Sequence, residues 1–286
     1  MTAVPPQLKR LYKDGRLVVF VGSGASTAVQ WTNSDQTTGR GVTWRGLVDK
    51  AAELLGHPDA DLLRVRGNDL QILEYFKAVE SGPTKLTNWF LQQMNPPDDA
   101  LKESPIHQAL VSLEGCNLFY TTNFDNFLER SFDLHGRPHS SVVDEKQIAQ
   151  HLAIVAASSG EARAEIVKFH GDLDHPNRMV LSESDYEKRL RFAEPEDQRL
   201  ISDLLGRSVL FVGYSFRDAN VAYLFRQISE HGELPEAPGA RRAYITVFDP
   251  SDFERRLFDS RHMSVIPLDS RDRTAATAAF LRELSA

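Results

Sequence analysis

The chain has 286 residues, 41% hydrophobic and 26% charged, enough to bury one large core or two modest ones. Its formal net charge of -7 gives no clustered basic surface of the kind nucleic-acid phosphates demand, so direct nucleic-acid binding is not expected. Cys116 is the single cysteine, which excludes an intrachain disulfide and any zinc site built on cysteines.

The first stretch, MTAVPPQLKRLYKDGR, lacks a hydrophobic signal core, and no apolar run reaches the ~20 residues of a bilayer span. A cytoplasmic protein with no membrane partner is therefore expected. Six β-rich runs follow in order: 16–22 (RLVVFVG), 117–122 (NLFYTT), 164–171 (AEIVKFHG), 208–215 (SVLFVGYS), 243–248 (AYITVF) and 264–268 (SVIPL). Most are continuously apolar rather than alternating, the pattern of strands covered on both faces in a parallel sheet. Segments of helical spacing separate them, among them TWRGLVDKAAELLG, NFDNFLERSFDLHG and PSDFERRLF. This alternation predicts an α/β fold: a Rossmann-like, doubly wound, mainly parallel six-stranded sheet with an inserted helical subdomain. Residues 68–115, amphipathic and split by NPPDD, form the expected helical insertion, and 172–205 a second, polar one. The closing LDSRDRTAATAAFLRELSA reads as a helix packed on the sheet. Ligands in such folds bind in the cleft at the carboxyl ends of the strands.

The first run ends in GSGAS, where Gly22 closes the strand and Gly24 permits a close backbone approach at a helix start. It is neither a phosphate loop of the G-x-x-x-x-G-K-[ST] type nor a full G-x-G-x-x-G fingerprint, because Thr27 stands at the third position. No acidic residue about 20 positions on supplies the usual ribose contact. The next three strands, however, also end in polar residues: TTNFD (121–125), FHGD (169–172) and GYSFRD (213–218). Asn123, Asp125, His170, Ser215 and Asp218 thereby fall along one edge of the sheet, as a binding crevice requires. Asn123 could equally cap the helix FDNFLERSF, and Asp218 and Asn220 read as caps of the helix that follows them. His175 and Asp172 are too few to hold a metal. Cys116 reads as a small buried apolar residue.

GSGAS, TTNFD, FHGD and GYSFRD, in that order, resemble the sirtuin superfamily and in particular its bacterial SIR2-like branch. The matching positions are Gly22 to Ser26, Thr121 to Asp125, His170 with Gly171, and Gly213 to Ser215, and GVTWRGLVDKA resembles that branch's Trp-containing helix start. The resemblance spans residues 16 to about 250 and treats the chain as a single SIR2-like domain. It departs from protein-deacylating sirtuins in lacking their four-cysteine zinc module, so no metal is expected.

The resemblance implies NAD as substrate and hydrolysis to nicotinamide and ADP-ribose in anti-phage, abortive-infection defence. Asn123 would orient the ribose or the attacking water, Asp125 would bind the nicotinamide carboxamide, and His170 would act as general base. Gly22, Ser23, Gly24 and Ser26 would cradle the diphosphate and ribose. Thr122, Gly213 and Ser215 would join the NAD-binding set, and Asp249 would meet the adenosine ribose. Two other readings stay open: an NAD-dependent protein deacylase, and a non-catalytic subunit that senses NAD or ADP-ribose. Restraint of such an activity implies a partner. The branch suggests a homo-oligomer, with a HerA-type ring ATPase or a short Argonaute as the activator. YLFRQISEHGELPEAPGARR is a candidate contact segment.

Overall fold

Residues 17–21 are apolar at every position because the strand they form is central in the sheet and buried on both faces. The computed structural model describes residues 3–33, 35–157, 163–191, 194–214 and 243–286. Its strands are β1 (Leu17–Val21), β2 (Gln30–Thr32), β3 (Thr38–Arg40), β4 (Leu118–Thr121), β5 (His139–Val142), β6 (Ala164–Lys168), β7 (Ser208–Val212), β8 (Ala243–Phe248) and β9 (Met263–Leu268). Seven of them form one sheet in the order β5-β6-β4-β1-β7-β8-β9, and every pairing in it is parallel. β2 and β3 form a separate antiparallel pair.

Among the described residues the sheet therefore has one strand more than the six expected from apolar runs. The addition, β5, is an edge strand of sequence HSSV in which only Val142 is buried, so it carries no continuous apolar signal. The other six strands fall within the expected segments or, for β9, begin one residue earlier.

The period of two along each strand sorts its residues between two cores. Leu17, Val19 and Val21 of β1 pack with Phe119, Ile166 and Leu210 beneath the helices Pro6–Lys13, Pro105–Val111, Phe127–Leu134 and Arg273–Ser285, which contribute Leu8, Leu110, Phe132 and Leu281. Val18 and Phe20 face the other way, with Tyr120, Val167 and Phe211, toward Leu200 and Leu204 of helix Pro195–Gly206 and Phe258 of helix Asp252–Asp259. Helices on both faces make the fold doubly wound. Cys116 is buried in the first core, where desolvation pushes its thiol up to about 11, the state of an inert packing residue.

A third cluster sits over the carboxyl ends of the strands. Helices Trp44–Leu54, Asp69–Val79 and Thr84–Gln93 bury Leu47, Val48, Ile72, Phe76 and Phe90 together with Phe124 and Phe127 from the segment after β4. Thr43 starts the first helix by accepting from Gly46 N at 3.0 Å, and a reciprocal Asn68–Gln71 capping box starts the second. This helical layer begins at Trp44, whereas the later helix Pro105–Val111 belongs to the sheet's own core.

Candidate functional site

The glycines after β1 answer to a neighbouring strand. Gly22 N donates to Val212 O at 2.9 Å and Gly24 N to Gly213 O at 2.8 Å, which brings the turn against the end of β7. A Cβ on Gly24 would lie 2.7 Å from Gly213 O, and one on Gly213 would lie 2.7 Å from Ala25 N. Gly213 also has φ 62, in the left-handed region that favours glycine. The two strand ends interlock only because none of these residues has a side chain. The helix that follows, Ser23–Ser26, is four residues long.

The loop after β4 is held to the same turn. Thr121 Oγ1 donates to Val21 O at 2.8 Å and accepts from Asn123 N at 3.0 Å. Asn123 Nδ2 donates to Ser26 Oγ at 3.1 Å, and Ser26 Oγ donates to Asp125 Oδ2 at 2.8 Å. Asp125 Oδ1 accepts from Phe127 N at 3.1 Å, so the opening turn of helix Phe127–Leu134 is capped by Asp125 while Asn123 is engaged with Ser26. Asp125 is 5% exposed. Burial pushes its carboxyl above the usual range, against the opposing pull of the Lys168 charge and of the Ser26 and Phe127 hydrogen bonds.

His170 follows β6 and is 2% exposed, its ring stacked on Phe169 at 5.5 Å and met edge-on by Tyr186 at 5.5 Å. Its carbonyl accepts from Val180 N at 3.0 Å. Gly171 turns the chain directly after it at φ 77, where a Cβ would meet Arg178 O at 2.6 Å. Arg189 Nη2 donates to Phe169 O at 2.9 Å and its guanidinium lies 4.4 Å from the Phe169 ring, fixing the residue on which His170 stacks. Asp172 and His175 form a local turn, with His175 Nδ1 2.8 Å from Asp172 Oδ1. Among the described residues no group of three or more His, Cys, Asp or Glu stands together to hold a metal ion.

These strand ends open onto a cavity of about 520 Å³. Its sheet side is lined by Ser23, Thr122, Asn123, Asp125, His170 and Gly213. The helical layer supplies Trp44, Leu47, Leu70 and Phe90, together with Arg45, Arg64 and Asp69. Arg64 donates to Asp49 at 2.7 Å, Asp61 at 2.9 Å and Asp69 at 2.7 Å; burial opposes its charge, but these carboxylates outweigh it and hold the guanidinium above its usual range. An apolar wall facing a few convergent polar groups is the make-up of a small-molecule site.

The structure thus brings Ser23, Thr122, Asn123, Asp125, His170 and Gly213 together. Gly22, Gly24 and Ser26 stand behind the lining, the glycines against Gly213 and the serine between Asn123 and Asp125. Asp249 is exposed at the end of β8, outside the lining, and accepts a hydrogen bond from Ser270 Oγ. Ser215, Asp218, Asn220 and the whole of the candidate contact segment 223–242 lie outside the described residues. Sequence reasoning missed Tyr186, Arg64, Asp69 and Phe90. The capping box of Ser182 and Asp185 marks the start of the helix carrying Tyr186, yet nothing local says that its ring meets His170.

The SIR2-like domain family matches residues 117–266. Among curated proteins, NAD(+) hydrolase ThsA of Bacillus cereus (strain MSX-D12) is 27% identical over 230 residues, 80% of this chain and 42% of that protein. NAD(+) hydrolase ThsA of Acinetobacter baumannii (strain 532279) is 25% identical over 77% of this chain and 41% of its own. Defense-associated sirtuin 2 of Bacillus subtilis is 27% identical over 76% of this chain and 19% of its own. The chain thus spans less than half the length of these relatives. A solved structure described as "Structural Basis for the Mechanism and Regulation of Sir2 Enzymes" aligns with 99% of the chain at 13% identity and TM-score 0.44. The family match covers more than half of the residues, and the chain belongs to the SIR2-like family.

Proposed function

We propose that the chain hydrolyses NAD at the bond between nicotinamide and ribose, releasing nicotinamide and ADP-ribose. The observation that carries this reading is the meeting of Asn123, Asp125 and His170 in one cavity at the carboxyl ends of a parallel sheet, in a chain whose curated relatives are named NAD(+) hydrolases. The C–N bond breaks as its electron pair moves onto the pyridinium nitrogen, so the leaving group departs neutral and the ribose passes through an oxocarbenium-like state. Water then bonds to the anomeric carbon. Asn123, its amide held by Ser26, orients that water or the ribose hydroxyls. His170 takes up the proton the water loses, the general-base task an imidazole nitrogen can perform. Asp125 accepts from the carboxamide of the nicotinamide, and Ser23, Thr122 and Gly213 face the diphosphate and ribose, with Gly22 and Gly24 setting the turn that presents Ser23. Trp44, Phe90 and Leu70 shield the reacting centre from bulk solvent.

The setting is defence against phage, with activity released by self-assembly or by a partner protein. The test incubates the purified protein, and lysate of infected cells that express it, with NAD and measures nicotinamide and ADP-ribose. Release by the wild type, lost in Asn123→Ala and His170→Ala, supports hydrolysis. NAD bound without product in every preparation would replace it with a nucleotide sensor.

A further inference from the structure

Lys168 ends β6, two positions before His170, and is only 1% exposed in a strand whose other members are Ala, Glu, Ile and Val. A buried ammonium requires a partner, and Glu129 Oε1 lies 3.1 Å from Nζ. That pairing alone does not explain the lysine, because buried ion pairs can often be replaced by apolar residues of similar volume without loss of stability. The second contact does what no apolar residue could: Lys168 Nζ donates to the backbone carbonyl of Asp125.

That carbonyl lies in the loop that carries Asn123 and Asp125. The backbone ladder between β4 and β6 reaches Thr121 and Lys168, with Phe169 N donating to Thr121 O at 2.8 Å. Past that point the two chains diverge, β4 into the Asn123 loop and β6 into the His170 turn. Lys168 bridges them on one ammonium: its own strand carries His170, its carbonyl acceptor belongs to the loop, and Glu129 belongs to the helix Phe127–Leu134 that the loop enters. We propose that Lys168 is a positioning residue that fixes the Asn123–Asp125 loop against His170. Its kinetic consequence rests on the NAD-hydrolysis reading; its structural consequence does not.

The test compares wild type, Lys168→Met and the double variant Lys168→Met with Glu129→Leu. The single variant leaves the partly buried Glu129 without its cation and melts lower; the double variant removes both charges and recovers part of the melting temperature, the Asp125 carbonyl staying unpaired. Loop placement does not recover with it. Amide hydrogen exchange across residues 121–127 stays faster than wild type relative to β1, and kcat stays roughly 100-fold down, as misplacement by about 1 Å costs. The calorimetric dissociation constant for NAD changes far less than kcat does. Wild-type exchange in that loop, together with recovery of kcat alongside the melting temperature, would overturn the proposal. If the wild type cleaves no NAD while loop exchange still rises in the double variant, the hydrolysis reading fails and the role of Lys168 stands.

Discussion

Ser26→Ala removes the hydroxyl that accepts from Asn123 Nδ2 at 3.1 Å and donates to Asp125 Oδ2 at 2.8 Å. The bond to the carboxylate is charge-assisted, worth about 1.5–3 kcal/mol, and the bond from the neutral amide about 1 kcal/mol. Because Asp125 is 5% exposed, water replaces the lost donor poorly, and the change should cost about 3 kcal/mol in all. At about 2–4 °C per kcal/mol for a chain of this size class, the melting temperature falls by roughly 6–12 °C where Asp125 is ionised. The pH dependence has a definite sign. Burial raises the Asp125 carboxyl and the Ser26 bond lowers it, so that bond's contribution is present where Asp125 is ionised and fades as pH falls through its folded value. The gap between variant and wild type should therefore be widest where Asp125 is ionised and narrow on acidification, read by thermal denaturation over a pH series. A gap under about 1 °C where it is widest, or one that widens in acid, refutes the reasoning. On the hydrolysis reading, freeing the Asn123 amide lowers kcat roughly fivefold, the equivalent of about 1 kcal/mol. Combined with Asn123→Ala, Ser26→Ala should add less kcat loss than it causes alone, since both remove the Ser26–Asn123 hydrogen bond.

Burial, and then the His135 charge, holds His107 down at about 4 from its ordinary 6.5. The unfolded chain takes up that proton first, so stability should drop by up to about 3 kcal/mol as pH falls across this window. Urea denaturation at the two ends of the window measures it, and His107→Gln should flatten that part of the profile. Asp197 is raised to about 6 by burial, with Arg189 opposing. The folded state keeps this proton longer than the unfolded one, so the group's contribution to stability is lost as pH rises from 3.8 through about 6. A carboxyl carbon titration by NMR should find its midpoint near 6, and a midpoint at or below the usual carboxylate value counts against the burial argument. Gly213→Ala should be much more damaging than Gly56→Ala. Both sites have positive φ, but nothing lies within 4 Å of the Gly56 Cβ position while Ala25 N lies 2.7 Å from that of Gly213. Gly56→Ala pays only about 1–2 kcal/mol of left-handed strain, and equal melting shifts for the two would refute the interlocked-turn explanation.

The sheet was legible wherever burial on both faces forced an unbroken apolar run, as in LVVFV and SVLFV. It was illegible at β5, where an edge position leaves His139, Ser140 and Ser141 partly or fully accessible and removes the pressure for apolar residues. The location of the cavity was legible for a topological reason: in a parallel sheet all strands end on one side, so the polar residues that close β1, β4 and β6 had to meet. The opposite wall was not. Trp44, Arg64 and Phe90 come from three separate segments of the helical layer, and which of their faces turns toward the strands is settled by packing around Phe76 and Phe124.

The GSGAS turn illustrates where motif reasoning reached its limit. Its glycines suggested a backbone cleared for a diphosphate, yet in the structure the space they clear is filled by Gly213, nearly two hundred residues away in sequence. Its last serine, expected with the glycines to cradle the diphosphate and ribose, joins Asn123 to Asp125. From Asp125 the connection continues through the carbonyl held by Lys168 to Glu129, and along β6 to His170. Local contacts such as that of Phe127 N with Asp125 are joined by ones from other strand ends: Ser26 of the first loop holds Asn123 and Asp125 of the second, and Lys168 of β6 holds the Asp125 carbonyl. That is why each motif alone was weak evidence and the ordered set was informative: what the fold specifies is the network between the loops, and the single sequence shows only its separate members.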